Sequence, residues 1–282
     1  MDAFVFFAVL AAAAFHAGWN ALLKVKLEPL TTVSLISAAC GVVVLPVAFF
    51  VDLPELGAWP YLGMSLALHL VYYIALAEAY RFGDLSQVYP IARGSAPLMT
   101  ALGASFWLGE PLGLTGWLGV ILLGTGIIAL SLRPRGSKLQ AFQGRSVAFA
   151  LLTALSIAAY TIVDGTGARI GPSPAPYIIW LFLLDGVMML IFGMIRMPSA
   201  MIEGAKSSWK LVLAGGALST AAYAIAIWAM TVAPIALVAA LRETSVLFAS
   251  LIGIVFLREP VYALRIIAGC IVVIGIVLLR LR

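Results

Sequence analysis

The stretches RGSAPLMTALGASFWLGEP at residues 93–111 and RETSVLFASLIGIVFLREP at residues 242–260 superpose without a gap at an offset of 149 residues. Arg93 then falls on Arg242, Leu98 on Leu247, Leu102 on Leu251 and Leu108 on Leu257. In the same frame Glu110-Pro111 falls on Glu259-Pro260. Leucine matches carry little weight in an apolar chain. An arginine and a Glu-Pro step held in one frame carry more, because only 10% of the residues are charged. The two stretches therefore mark equivalent places in two related halves of the chain.

The rest of the sequence says what is repeated. The chain has 282 residues and is 63% hydrophobic, with a mean hydropathy of +1.11. A soluble domain is about 25% charged and must cover its surface with polar groups, so a water-soluble fold is excluded. Crossing a bilayer takes roughly 20 apolar residues. Apolar runs bounded by charge, Pro or Gly lie at 3–23, 30–51, 59–80, 84–108, 111–132, 146–168, 174–195, 209–231, 234–257 and 260–281. All ten are predicted to be helices, since an open strand leaves its backbone unsatisfied in lipid. The polar stretch from Arg133 to Arg145 separates a first half, 1–135, from a second, 144–282. Each half holds five spans, an odd number, so the second must enter the membrane in the opposite sense. The fold class is therefore all-α: a polytopic membrane protein of ten transmembrane helices in two inverted five-helix repeats. Many secondary transporters have this architecture, with the substrate site near the midplane between the halves.

The net charge of +5 belongs to loops rather than to a nucleic-acid surface. The termini and even-numbered connections carry Arg169, Arg280 and Arg282. The odd-numbered ones carry Lys24, Lys26, Arg81, Arg133, Arg135, Lys138, Arg145, Arg196, Lys206, Lys210 and Arg258. The positive-inside rule then places the odd connections in the cytoplasm and both termini outside. Trp59, Trp107, Trp117 and Trp209 fall near span ends, where amphipathic rings lie. The first apolar run lacks a basic leader and is read as a span, not a cleaved signal. Cys40 and Cys270 sit inside apolar runs with no metal-binding spacing, and are read as packing residues.

Ionisable groups in hydrocarbon are costly and need a partner or a wet cavity. Here they are His16, His69, Glu78, Arg93, Asp164, Asp185, Arg242 and Glu243. Arg93 and Arg242 lie deep in spans four and nine, with Pro90 and Pro97 flanking the first. Two roles fit these arginines. They attract an anionic group of a substrate in a central cavity, or they hold spans together, for instance as Arg242 with Asp164 or Glu243. On span three, His69, Tyr72, Tyr73 and Tyr80 share a helical face. His16, Trp19 and Asn20 share one on span one; Ser156, Tyr160 and Asp164 on span six; Ser219 and Tyr223 on span eight. Trp228 sits deeper than the interfacial tryptophans. Any one of these residues can be an ordinary interhelical hydrogen bond; together they predict a cavity for an amphipathic ligand. His16 and His69 titrate near neutral pH when unperturbed, and a buried Asp164 can hold a proton, so proton coupling is compatible with the chain. The glycines of spans five and ten (Gly116, Gly119, Gly124, Gly126, Gly269 and Gly275) predict close helix packing. Glu110 and Glu259 are expected to be structural, each near the positive N-terminus of the helix that follows it.

The ten spans, the two halves, Phe-Trp-Leu-Gly-Glu-Pro at 106–111 and Phe-Leu-Arg-Glu-Pro at 256–260 resemble the drug/metabolite transporter superfamily, in its ten-helix EamA branch. The resemblance covers essentially the whole chain. It implies a central cavity built by spans one, three, four, six, eight and nine, with spans five and ten at the side. It also implies an exporter of amino acids, aromatic or neutral ones included, or of similar small metabolites, in the bacterial inner membrane. In many members the termini are placed in the cytoplasm, opposite to the charge count here. The candidate substrate-binding residues are His16, Trp19, Asn20, His69, Tyr72, Tyr73, Tyr80, Arg93, Tyr160, Asp164, Tyr223, Trp228, Arg242 and Glu243. The expected partners are a small-molecule substrate and the lipid bilayer, with no nucleic acid, metal or cofactor. A monomer is expected, with a homodimer as the alternative. The alternatives within transport are multidrug or nucleotide-sugar-like substrates. A membrane enzyme is the rival outside it, but no reactive motif such as His-Glu-x-x-His or Gly-x-Ser-x-Gly is present, nor a phosphate-binding loop for an ATP motor.

Overall fold

A computed structural model describes residues 1–22, 28–83, 85–130, 144–255 and 263–281. Lys24, Lys26, Arg133, Arg135, Lys138, Arg258, Glu259, Pro260 and Arg282, used above for orientation and for the repeat, lie outside the described residues. The described chain is helical: α1 Ala3–Leu22, α2 Pro29–Ala48, α3 Trp59–Phe82, α4 Leu85–Trp107, α5 Leu114–Leu130 and α6 Gly144–Gly167. These are followed by α7 Ala175–Arg196, α8 Pro198–Val232, α9 Ile235–Arg242, α10 Ser245–Val255 and α11 Ala263–Arg280. A short 3-10 turn, Leu56–Ala58, leads into α3.

Seven segments, with α9 and α10 taken together, are long and apolar enough to cross a bilayer; α5 and α11 contribute shorter apolar helices. The remaining helix, α4, carries Gln87, Arg93, Ser95 and two prolines, and these lower its hydropathy. Large apolar side chains face outward along the length of the helices: Phe7, Met64, Leu155, Val187, Ile191 and Ile274 are all exposed. An apolar surface this extensive has lipid as its solvent.

Two elements depart from the expected spans. The eighth starts at Pro198, not at 209, and bends at Ser208, whose φ of −132° and ψ of 19° interrupt the helix. The arm before the bend carries Glu203 and Lys206; Trp209 follows it, exposed, with the Lys210 ammonium 5.5 Å from its ring centroid. The ninth span is broken. At Glu243 and Thr244 the backbone tightens: the Glu243, Thr244, Val246 and Leu247 amides bond three residues back, to Ala240, Leu241, Glu243 and Thr244. The Thr244 hydroxyl also donates to the Leu241 carbonyl at 2.7 Å. Irregular backbone at membrane depth survives only where protein or a cavity surrounds it, and Glu243 and Thr244 are buried.

The closest helix pairs join the two halves rather than members of one half: α3 with α6, α2 with α7, α1 with α8, and α5 with α11. The inverted repeats are thus interlocked. At the α5–α11 seam the predicted role of the glycines is visible. A Cβ on Gly275 would stand 2.9 Å from the Gly119 carbonyl oxygen and 3.0 Å from the Leu123 nitrogen. Both are backbone atoms and cannot swing away. Gly275→Ala is therefore expected to destabilise the protein by about 1–3 kcal/mol, the usual cost of overpacking. Gly63→Ala, with open space around it, should be neutral. Thermal unfolding of both variants in detergent checks the contrast.

Candidate substrate site

Arg93 stands eight residues into α4, about 12 Å along its axis. Pro97, four residues on, has no N–H to offer the Arg93 carbonyl, so the helix is loosened at the arginine itself. The Arg93 Nε lies 3.0 Å from Glu243 Oε2, with side chains only 8% and 5% exposed. Its Nη2 lies 3.0 Å from His16 Nε2. The Trp19 Nε1 donates toward His16 Nδ1 at 3.3 Å, with the rings edge-on at 5.3 Å between centroids. Arginine and indole nitrogens only donate and a neutral imidazole has one accepting nitrogen, so the tautomer sets which of the two neighbours bonds to the ring. Asn20 turns back on its own helix and donates to the His16 carbonyl at 2.9 Å. One ion pair thus joins α4 of the first half to the break in the second, with α1 alongside.

The repeat partner, Arg242, behaves differently. No ion pair joins Arg242 to Asp164 or Glu243, the pairings considered from the sequence, although Arg242 stands near enough to Glu243 to act on its charge alongside Arg93. Glu243 is held by Arg93. Asp164, fully buried, accepts from the Tyr177 hydroxyl at 2.9 Å and from the Tyr223 hydroxyl. Arg242 is half-buried, and its guanidinium lies 4.6 Å from the Tyr223 ring centroid. A cation–π contact is an attraction to the ring's face and does not use the guanidinium N–H groups as hydrogen-bond donors to oxygen. Among the described residues Arg242 has no carboxylate partner.

Aromatic rings fill the space between. Tyr160 stacks on His69 with centroids 4.1 Å apart and planes at 22°. Tyr72 meets the Tyr160 ring edge-on at 5.8 Å, and Tyr73 lies 5.0 Å from Tyr72. Tyr223 meets Tyr160 edge-on at 6.0 Å. His69 is held on α3 by Nδ1 contacts with the Ser65 carbonyl at 2.9 Å and hydroxyl at 3.1 Å. Six candidate positions on α3, α6, α8 and α9 (His69, Tyr72, Tyr73, Tyr160, Tyr223 and Arg242) thus form one polar-tipped aromatic wall beside the Arg93–Glu243 pair.

Three expectations fare otherwise. Tyr80 lies eight residues beyond Tyr72, about 12 Å along α3, and packs near Val88, Ala92 and Ala150 instead. Trp228 meets Phe4, edge to face at 5.9 Å, away from the tyrosine wall. The Ser156 hydroxyl bonds to the Leu152 carbonyl of its own helix at 2.9 Å. Sequence reasoning also missed Tyr177, which reaches Asp164 across the α6–α7 hairpin; spacing along a single helix cannot report such a contact. Among the described residues no group of three His, Cys, Asp or Glu side chains could hold a metal ion.

A second polar cluster was also missed. Arg169, in the α6–α7 connection, lies 2.6 Å from Glu110 Oε1. It donates to the Met230 carbonyl from Nε at 2.9 Å and Nη2 at 2.7 Å, and to the Ala233 carbonyl at 3.2 Å. The other Glu110 oxygen accepts from the Ile235 amide at 2.8 Å. Glu110, expected near the N-terminus of the helix that follows it, α5, serves the N-terminus of α9 in the opposite half instead. The clasp ties the end of α4 to the α8–α9 turn. Next to it Met230, Ile235, Ala236 and Val238 are fully buried, so this end of the molecule is packed shut. Toward the other end His16, Trp19, Asn20, Tyr72 and Tyr73 remain half-exposed.

Comparison with known proteins bears on the family and the fold. The profile of the EamA-like transporter family matches residues 3–132 and again residues 144–281. No curated protein matches the chain. A solved structure described only as a crystal structure of a protein superposes with a TM-score of 0.77 at 17% identity, over 99% of this chain and 96% of that one. At that identity the likeness concerns the fold alone.

Proposed function

Since the chain belongs to the EamA-like transporter family, we propose that it is a secondary exporter of neutral and aromatic amino acids in the bacterial inner membrane, working by alternating access. The observation that carries this reading is Arg242. It is a half-buried cation at membrane depth, laid on Tyr223, with no carboxylate partner among the described residues. A substrate carboxylate would pair with it. The wall of His69, Tyr72 and Tyr160 would take an apolar or aromatic side chain. Cationic drugs alone would call for the reverse arrangement, an open carboxylate beside the rings.

Alternating access requires one end to close while the other opens. The Glu110–Arg169 clasp would be the closure at one end, and its release would open that end. The basic odd-numbered connections would face the cytoplasm. The half-exposed residues would then face the cytoplasm too, the side on which an exporter loads. A single chain holds both halves of the site and would be the transporting unit.

The test is flux into proteoliposomes. Labelled neutral and aromatic amino acids should enter faster than into empty liposomes, while a cationic dye should not. Movement of the dye with no movement of any amino acid would overturn the assignment.

A further inference from the structure

Asp185 belongs to neither cluster. It lies ten residues into α7, about 15 Å from the helix start, and is 7% exposed. Its Oδ2 lies 3.2 Å from the Tyr73 hydroxyl, which in turn lies 3.0 Å from the Ser37 hydroxyl of α2. Its Oδ1 is buried and meets no hydrogen-bond donor among the described residues. Asp164 differs, since phenol hydroxyls serve both of its oxygens. No lysine or arginine among the described residues pairs with Asp185. Helices α2 and α7 pack closely beside it: a Cβ on the adjacent Gly186 would come within 2.8 Å of the Ser37 carbonyl oxygen and 2.9 Å of the Gly41 Cα. The groups that face it are Ser37 and Cys40 on α2, His69 and Tyr73 on α3, and Asp164 on α6.

A bare carboxylate oxygen in a dry interior is costly. A proton on Oδ2 removes the charge and lets the hydrogen-bond chain reverse. Asp185 then donates to the Tyr73 hydroxyl and Tyr73 to Ser37. Oδ1 becomes a neutral carbonyl, the kind of buried group most often left under-satisfied. On release the proton passes to water and the carboxylate again accepts from Tyr73. Tyr73 also contacts Tyr72, at 5.0 Å, and His69, at 6.0 Å, in the aromatic wall.

We propose that Asp185 is a proton-binding site, loading and unloading one proton per cycle and coupled through Tyr73 to the aromatic wall. The coupling rests on the transport reading; the proton site does not. Infrared difference spectra of the reconstituted full chain, recorded without substrate across a pH series, test the site itself. The expected result is a carboxylic-acid C=O band that comes and goes with pH, is lost in Asp185→Asn and persists in Asp164→Asn. A band unchanged in Asp185→Asn, or one displaced by sodium ions at fixed pH, would overturn it. For the coupling, Asp185→Asn should still exchange labelled phenylalanine at equal pH but lose pH-driven accumulation by at least about tenfold. Accumulation equal to wild type would overturn the coupling. The infrared result stands whether or not phenylalanine is moved.

Discussion

Glu243→Ala is expected to destabilise the folded protein by about 3–5 kcal/mol, the cost of leaving one partner of a buried pair uncompensated. The Arg93 guanidinium is 8% exposed and its Nε is 3.0 Å from the lost carboxylate. His16 Nε2, 3.0 Å away, can still accept from it, but a neutral acceptor supplies no negative charge. The double variant Arg93→Met with Glu243→Leu should cost much less than the sum of the two single changes, because it removes both charges together. Equilibrium unfolding in mixed detergent micelles measures all three. If Glu243→Ala cost less than about 1 kcal/mol, the pair would behave like an exposed salt bridge, contrary to its burial. The same pair joins the two inverted halves, a structural role, and the substrate's carboxylate is proposed for Arg242 instead.

The opposite pattern is expected at Arg242. Arg242→Gln should leave folding nearly intact, since no carboxylate is orphaned, yet weaken amino-acid binding about 10–100-fold. That range corresponds to one charge-assisted hydrogen-bonded contact of about 1.5–3 kcal/mol. Arg242→Lys should recover only part of it, because an ammonium cannot present a planar fork to a carboxylate. Two arginines aligned by the repeat thus differ in their contacts, one paired with Glu243 and the other set against Tyr223, where the substrate's carboxylate is proposed to bind.

That division could not be read from the sequence. The frame that aligns Arg93 with Arg242 and the odd count of spans per half were enough for the ten crossings and the inverted halves, because both follow from hydropathy and parity. Helical spacing likewise placed His69, Tyr72 and Tyr73 on one face, and they do meet. It placed Tyr80 on that face too, but a shared face says nothing about depth, and Tyr80 is too far along α3. Which carboxylate serves which arginine depends on contacts between halves more than a hundred residues apart, as with Arg93 and Glu243. The break at Glu243 and Thr244 lies nine residues from both Pro234 and Gly253 of its apolar run, so neither breaker marks it. The clasp of Glu110 with Arg169 was hidden for a similar reason. A Glu before a Pro looks like a local cap, and only the fold brings the N-terminus of α9 to it.

Binding of a pair of ligands that differ in one group tests the central claim most directly. Phenylalanine and phenethylamine share the ring and the ammonium, and only the first has a carboxylate. Measured by competition in proteoliposomes, wild type should prefer phenylalanine by about 10–100-fold, and Arg242→Gln should bind the two nearly equally. A preference for phenylalanine that survives in Arg242→Gln, or equal binding by the wild type, would contradict the assignment of Arg242 as the carboxylate-binding cation of this transporter.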